Sequence, residues 1–345
     1  MANIPDIHPP SLSRRSEAKA DSIFHLRPVL LAGPTAVGKS EIALHLAERL
    51  GGEIISADSM QVYCGLDIGT AKPSPADRAR VPHHLIDICD LTESFDAAQF
   101  ARLAHQAVVE IQARGHVPVL CGGTGLYFKA FLEGLGEAPS ADAKLRAELE
   151  AAPLENLLDE LRERDPAAYE KIDKKNARRV IRAVEVIRLT GKPFSKQRAE
   201  WNVLPASSPE DLKSEIPARC RNHVFCLIRQ PADLHARINV RVDTMFARGL
   251  VDETHELLKH GLEQNKTAMQ AIGYRQVVEH LRGERSLAET IELVKIRTRQ
   301  FAKRQLTWFR AQKNLEWFEL KPDESLEKCA RKLCESFLKS RSNGR

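Results

Sequence analysis

The sequence predicts an α/β fold: a doubly wound parallel sheet behind a phosphate-binding loop, with an all-helical insertion domain and C-terminal helices. Three observations lead there. Short apolar runs alternate with helical patterns from residue 28 to 134, the arrangement that yields parallel βαβ units. The first run, Val29 to Ala32, ends in Gly33-Pro34-Thr35-Ala36-Val37-Gly38-Lys39-Ser40, a G-x-x-x-x-G-K-S string that opens at once into a helical pattern. Strand signals then vanish between about Ala141 and Ala199, where Leu, Ala, Glu and Arg dominate.

Strand, glycine-rich turn and helix in that order make the sheet P-loop NTPase-like. The glycines let the backbone wrap with its N–H groups inward, and the helix from Glu41 to Leu50 adds its dipole to the anion site. Three fixed positions and a Ser/Thr choice arise by chance in roughly one chain in a hundred of this length, and the flanking strand and helix make coincidence rarer. Lys39 supplies a point charge for phosphate oxygens, and the Ser40 hydroxyl suits Mg²⁺. Gly52 to Ser56 reads as a second strand, ending in the polar string Ala57-Asp58-Ser59-Met60-Gln61-Val62-Tyr63. Gly65 to Pro75 is loop, and His84 to Cys89 is expected to be a third strand. Phe100, Leu103, Ala107, Val108 and Ile111 give Phe95 to Arg114 a helical spacing that Gly115 stops. Val117 to Cys121 is a fourth strand, followed by Gly122-Gly123-Thr124-Gly125 and a helix from Leu126 to Glu133. Ligands of such sheets lie outside the carboxyl ends of the strands, so the three polar strings that follow strands should ring one crevice. Asp87 and Asp90 match no Mg²⁺ motif and are read as structural.

Within the insertion, Lys174 to Arg188 is an amphipathic helix with Val180, Val184 and Ile187 as its apolar stripe and Arg178 and Arg182 on another face. Trp201 to Arg221 is a Pro/Ser/charge-rich connector, His223 to Ile228 a strand returning to the sheet, and everything after Asp233 is expected to be helical. The expected organisation is a loose tail over 1–25, a core domain over 26–138 and 222–320, a helical insertion over 139–200, a connector over 201–221 and a C-terminal tail over 321–345.

Composition narrows the classes. Against 47 acidic residues stand 52 Lys and Arg, a formal net charge of only +5, so the placement of charge matters more than its total. Seven cysteines, scattered without paired spacing, read as reduced thiols, Cys329 and Cys334 included. Residues 1–25, with three prolines, Arg14-Arg15 and no long apolar run, resemble neither a signal peptide nor a membrane anchor. The longest apolar stretches are strand-sized, so a cytoplasmic, monomeric protein without a membrane span is expected.

Read together, the phosphate loop, Asp58-Ser-Met-Gln-Val-Tyr63, Asp67-Ile-Gly-Thr-Ala-Lys-Pro73 and Cys121-Gly-Gly-Thr-Gly-Leu-Tyr127 resemble the bacterial tRNA dimethylallyltransferases, the tRNA isopentenyltransferase or IPP transferase family. Asn176 to Pro193, Arg237 to Gly249, Ile272-Gly-Tyr-Arg-Gln276 and Thr298 to Trp308 match as well, so the resemblance covers roughly residues 28–320 in the family's order. It implies transfer of a dimethylallyl group from dimethylallyl diphosphate to N6 of adenosine 37 in tRNA, beside the anticodon. The loop, Lys39 and Mg²⁺ would then neutralise a pyrophosphate leaving group, where pattern alone suggests ATP. Asp58 is the implied general base, because a carboxylate that accepts from N6–H raises the nucleophilicity of a delocalised amine. By position alone Asp58 reads equally as a capping or Asx-turn residue. Thr124 is implied to donate to the bridging oxygen that leaves with pyrophosphate, though its place also suits a helix N-cap. Arg241 is implied to contact the diphosphate, and that role rests on the resemblance.

The target base must be flipped from a stacked anticodon loop, and Asp58, Ser59, Met60 and Gln61 match the string that meets it. Two further stretches match tRNA contacts: Arg178, Arg179, Val180, Ile181 and Arg182, and Gln270, Ala271, Ile272, Gly273, Tyr274 and Arg275. Lys295, Arg299 and Lys303, with Arg297 and Arg304 nearby, form a basic stripe that favours RNA backbone contact over a merely solvated face. A small-molecule or nucleotide kinase on the same loop is the first rival, but it leaves Asp58 to Gln61 and Lys303 to Trp308 without purpose. A non-catalytic RNA-binding ATPase is the second, and it needs an acidic metal motif and switch loops that the sequence does not display.

Overall fold

The structure, a computed structural model, describes residues 27–135, 139, 141–197, 224–312 and 315–342. The expected N-terminal tail and 201–221 connector lie outside the described residues, as do Cys220 and His223.

Strand β1, Val29–Ala32, is wholly aliphatic and wholly buried. A parallel strand covered on both faces reads as such a continuous apolar run. It lies inside a six-stranded parallel sheet with β2 (Gly52–Ala57), β3 (His83–His84), β4 (Val117–Gly122), β5 (Val224–Ile228) and β6 (Leu315–Glu319), in the order β3-β2-β4-β1-β5-β6. Register sets the site: Gly122 stands opposite both Ala32 and Ala57. The carboxyl ends of β1, β2 and β4 therefore come level, and the chain leaves the sheet there into the three polar strings.

Helix α1 (Lys39–Leu50) follows β1 and buries Ile42, Ala43, Leu46 and Ala47 on the sheet. Helices α2 (Pro75–Arg80) and α3 (Ala97–Ala113) come next, and α4 (Gly125–Glu133) follows β4. Asp96 caps α3 through the amides of Ala98 and Gln99, and the Gln99 side chain accepts from Asp96 N, a capping box worth about 1 kcal/mol. After β5 come α9 (Pro231–Ala247), α10 (Leu250–Lys259), α11 (Tyr274–Leu281), α12 (Leu287–Arg310) and, beyond β6, α13 (Leu326–Ser342).

The described residues fall into two compact units, 27–128 with 224–342, and 129–197. The second unit holds α5 (Ala143–Ala151), α6 (Leu154–Arg164), α7 (Pro166–Lys171) and α8 (Ala177–Thr190) around Leu149, Leu157, Leu161, Val180, Val184 and Ile187. Inside it the fully buried Glu185 pairs with Arg146 and Arg182 at 2.6 and 2.7 Å.

Three expectations are corrected. The third strand is only His83–His84, because Leu85 and Asp87 turn left-handed at φ 61 and 54° and Cys89 returns merely as a bridge to Tyr63. The Asp87 carboxylate is held there by Lys72 and Arg78, which confirms its structural reading. A strand, β6, interrupts the helices after Asp233, pairing with β5 from Val224↔Leu315 to Ile228↔Glu319. It is a short, half-exposed edge strand and so lacks the continuous apolar run of the inner strands. Finally, residues 321–345 are not simply a tail: Cys329, Leu333 and Phe337 of α13, spaced i, i+4, i+8, are buried in the core shared with α1.

Candidate active site

The phosphate loop is shaped by its glycines and by side chains from the C-terminal helices. Gly33 sits at φ 147°, where a Cβ would lie 2.7 Å from the Leu227 carbonyl oxygen, and Gly38 sits at φ 109°. Ala36 also has positive φ, 63°, an uncommon conformation for a residue with a side chain. Two guanidinium groups hold the chain in this path: Arg237 Nε donates to Ala36 O at 3.0 Å and Arg229 Nε to Val37 O at 2.9 Å. Asp233 anchors Arg229 in turn at 2.7 Å. Lys39 Nζ donates to Pro34 O at 2.7 Å, so its ammonium is folded back over the loop.

The three polar strings are bonded to one another. Thr124 Oγ1 accepts from Ser59 N at 3.2 Å, and Thr124 N donates to Ala57 O at 3.3 Å. The Thr124 carbonyl accepts from Tyr127 N at 2.9 Å, which places Thr124 at the start of α4. Asp58 Oδ1 accepts from Met60 N at 2.9 Å, the Asx-turn bond that fixes the carboxylate's rotation. Gln305, reaching in from α12, accepts from Thr35 N at 2.8 Å and donates to Gly123 O at 2.9 Å.

Charges converge in this crevice. Burial brings the Lys39 ammonium down to about 8; Cys121 and Asp58 oppose that fall, and the Arg241 charge adds to it. Burial likewise lowers Arg241, offset in part by Asp58. Among the described residues Arg241 makes only a long bond, 3.4 Å, to Thr70 O, and that leaves most of its donors for an anion. Burial pushes the thiols of Cys121 and Cys226 up to about 11 and 12, so both stay neutral and unreactive.

The loop that ends in Pro73 is braced from below. Ile68 N and Gly69 N donate to Glu253, and Tyr274 Oη donates to the same carboxylate at 2.6 Å. Gln61 is absorbed into this bracing: its amide accepts from Ser56 Oγ at 2.8 Å and donates to Thr70 O at 3.2 Å.

Lys39, Asp58, Thr124 and Arg241 are thus brought together, with Gly33 to Ser40 around them. Ser40 is exposed, and its hydroxyl has no partner among the described residues. Ser59 presents its amide to Thr124, and Met60 packs partly into the cluster beneath. The expected tRNA-contacting stretches need correction. Val180, Ala271 and Tyr274 are buried core residues, Val180 and Tyr274 because the helix period that aligns their neighbours turns them inward. Gly273, buried at φ 106°, starts α11, while Ile181 and Ile272 pack partly into the cores. Arg182 is held by Glu185 and the Pro139 carbonyl. Arg178, Arg179, Gln270 and Arg275 remain exposed. The basic stripe is likewise half consumed, Lys295 pairing with Asp243 at 2.8 Å and Arg299 bonding Asn239 at 2.7 Å, while Lys303 and Arg304 face solvent. Sequence reasoning missed Arg229, Arg237 and Gln305 as loop-shaping groups. For Arg237 and Gln305 the only signal was a polar residue on the inward side of an amphipathic helix, and Arg229, just past β5, gave none.

Among the described residues no three His, Cys, Asp or Glu side chains are grouped to hold a metal ion. Mg²⁺ commonly takes one or two protein ligands and completes its shell with water and substrate phosphates. The free Ser40 hydroxyl beside a phosphate loop fits an ion that arrives with its diphosphate.

Fold and crevice define a phosphate-loop α/β protein in which an ammonium, a guanidinium and a carboxylate face one space at the end of the sheet. Residues 61–312 match the profile described as IPP transferase. The chain is 47% identical over 296 residues to the tRNA dimethylallyltransferase of Geobacter sulfurreducens, covering 84% of this chain and 91% of that one. It is 48% identical over 292 residues to the Halorhodospira halophila enzyme of the same name, covering 83% and 90%. Among solved structures, a full-length tRNA isopentenylpyrophosphate transferase from Bacillus halodurans superposes with a TM-score of 0.65 at 39% identity, over 92% of this chain and 98% of that one. A eukaryotic dimethylallyltransferase captured acting on tRNA gives 0.71 at 26%, over 91% and 79%. This chain belongs to the IPP transferase family.

Proposed function

We propose that this chain transfers the dimethylallyl group of dimethylallyl diphosphate to N6 of adenosine 37 in tRNA, giving N6-(dimethylallyl)adenosine and diphosphate. The observation that carries the reading is the joining of the phosphate loop to Asp58 and Thr124 in one hydrogen-bonded crevice. A phosphate site with a carboxylate across from it suits a reaction whose leaving group is an anion and whose nucleophile must lose a proton. A kinase can use a carboxylate base too, and it is the likeness to tRNA dimethylallyltransferases at 47 and 48% identity that favours transfer of the dimethylallyl group.

In the proposed step the bond from N6 to the allylic carbon forms as the carbon–oxygen bond to diphosphate breaks, and the N6 proton passes to Asp58. With Oδ1 engaged by Met60 N, Oδ2 is the oxygen that takes it. Because Thr124 Oγ1 already accepts from Ser59 N, its own hydrogen is free to donate to the departing bridging oxygen. Lys39 and Arg241 neutralise the charge that develops on the diphosphate. Ser40 would hold Mg²⁺, which when bound supplies further neutralisation of the leaving group. The tRNA is met by the exposed Arg178 and Arg179 of the helical insertion, residues 139–200 in the expected division, and by Gln270 and Arg275. The enzyme is taken to work as a cytoplasmic monomer, and no described helix is long and apolar enough to cross a membrane.

Incubation with unmodified tRNA, Mg²⁺ and either dimethylallyl diphosphate or γ-labelled ATP tests the reading. Nucleoside analysis should show an isopentenyl-type adenosine with the first co-substrate only. No modified adenosine, together with transfer or release of labelled γ-phosphate, would establish the kinase or ATPase alternative instead.

A further inference from the structure

We infer that Gln305 is a positioning residue for the diphosphate site, a side chain that sets the phosphate loop and the Thr124 loop at a fixed distance from each other. The inference rests on the proposed reading for what the site binds, and on geometry for what Gln305 does.

Gln305 lies on α12, 270 residues from Thr35 and 182 from Gly123 in sequence, and is only 8% exposed. Its amide is used at both ends: Oε1 accepts from Thr35 N at 2.8 Å, and Nε2 donates to Gly123 O at 2.9 Å. A side chain bonded this way cannot turn without breaking both bonds, since carbonyl and amino ends are not interchangeable. The two loops follow neighbouring strands, β1 and β4, whose register ends at Ala32↔Gly122. The ladder between them stops at that pair. Gln305 bonds both loops beyond it.

The glycine at position 123 belongs to the same arrangement. A Cβ there would lie 2.3 Å from Gln305 Nε2 and 3.2 Å from the Gly33 carbonyl oxygen. Any side chain at 123 would push the amide away and loosen the loop from the other side. The Thr35 N–H is also taken out of the set available to phosphate, because it donates to Gln305. Loss of the amide should therefore reach diphosphate affinity through Thr35 and leaving-group protonation through Thr124, while tRNA binding, which uses other surfaces, stays as it was.

Two variants test this in the full-length protein. Gln305→Met keeps the reach and the burial but makes neither bond, and Gly123→Ala displaces the amide by direct contact while leaving residue 305 a glutamine. Titration with inorganic pyrophosphate and Mg²⁺ should show affinity weakened roughly tenfold in each, the scale of one or two lost hydrogen bonds. In the transferase assay kcat should fall at least about tenfold and the KM for dimethylallyl diphosphate should rise, with the Kd for tRNA within about twofold of the parent. Parent-like pyrophosphate affinity in Gln305→Met, or a loss confined to tRNA affinity, overturns the inference. If Gln305→Met does not fold, Gly123→Ala decides by the same criteria. The pyrophosphate titration needs no turnover, so it separates a failure of this inference from a failure of the proposed reaction.

Discussion

Asp58 and Lys39 are the residues on which the chemistry turns, and each makes a distinct demand on experiment. Asp58→Ala should retain tRNA binding and lose about 10²- to 10⁴-fold in turnover, the usual worth of a positioned acid or base. Unchanged turnover would remove Asp58 as the base. Burial holds Lys39 down at about 8, with Arg241 adding to the fall and Cys121, Asp58 and Cys226 opposing it, and the side chain is protonated below that value. An incoming diphosphate favours the ammonium, so affinity should weaken as pH rises through 8 and the free enzyme loses that proton. Pyrophosphate titrates too, and Lys39→Met reports that part alone. If parent and Lys39→Met follow parallel curves of affinity against pH between 7 and about 9, Lys39 is not the titrating group.

Among the elements, α13 shows how a packed helix can hide behind a charged sequence. Its polar face carries the Lys, Arg and Glu that made it read as a tail, while Cys329, Leu333 and Phe337 lie at 0–1% exposure against α1. Its first residue, Leu326, stands 3.2 Å from where a Cβ on Gly38 would be, so the helix also borders the phosphate loop. Phe337→Ala should lower stability by about 3–5 kcal/mol in urea denaturation, the cost of emptying a large core position. A loss below about 1 kcal/mol would mean that the helix is dispensable packing. The late basic helix teaches the converse. Its four-residue spacing of cations was legible, but whether each faced RNA or α9 depended on acceptors far away in sequence, Asp243 and Asn239.

For the molecule as a whole, one buried carboxylate makes a large contribution to acid stability from the end of the sheet opposite the crevice. Glu53 opens β2 and is 3% exposed; burial would raise its carboxyl, but hydrogen bonds from Arg114, His84 and His116 prevail and hold it near 2. A carboxyl held below its usual 4.5 adds stability that is complete above that pH and is lost as pH falls from about 4.5 to about 2. The size is about 2–3 kcal/mol, allowing for the solvent that reaches Arg114 and His116. Glu53→Gln should thus be less stable than the parent by about that amount at pH 7, and the gap should close as pH falls below 4.5 in chemical denaturation. A gap that persists to pH 2 would assign the loss to packing instead.

What the chain's order alone determined is local: strands at Val29 to Ala32, Gly52 to Ser56 and Val117 to Cys121, the latter two each one residue longer in the structure, the loop between Gly33 and Ser40, and the polar strings that must cluster where parallel strands end. Apolar runs, glycines and strand–turn–helix succession act over a dozen residues, so a sequence displays them. The tertiary structure decided which polar side chains are spent on the fold and which are left for a ligand. Gln61 and Arg182 went to neighbours, Arg241 kept its donors, and Gln305, Arg229 and Arg237 came from beyond residue 228 to set the loop's shape. Each of these outcomes depends on a hydrogen-bond partner distant in sequence or on an inward turn of a helix, and neither is written in the spacing of the residues themselves.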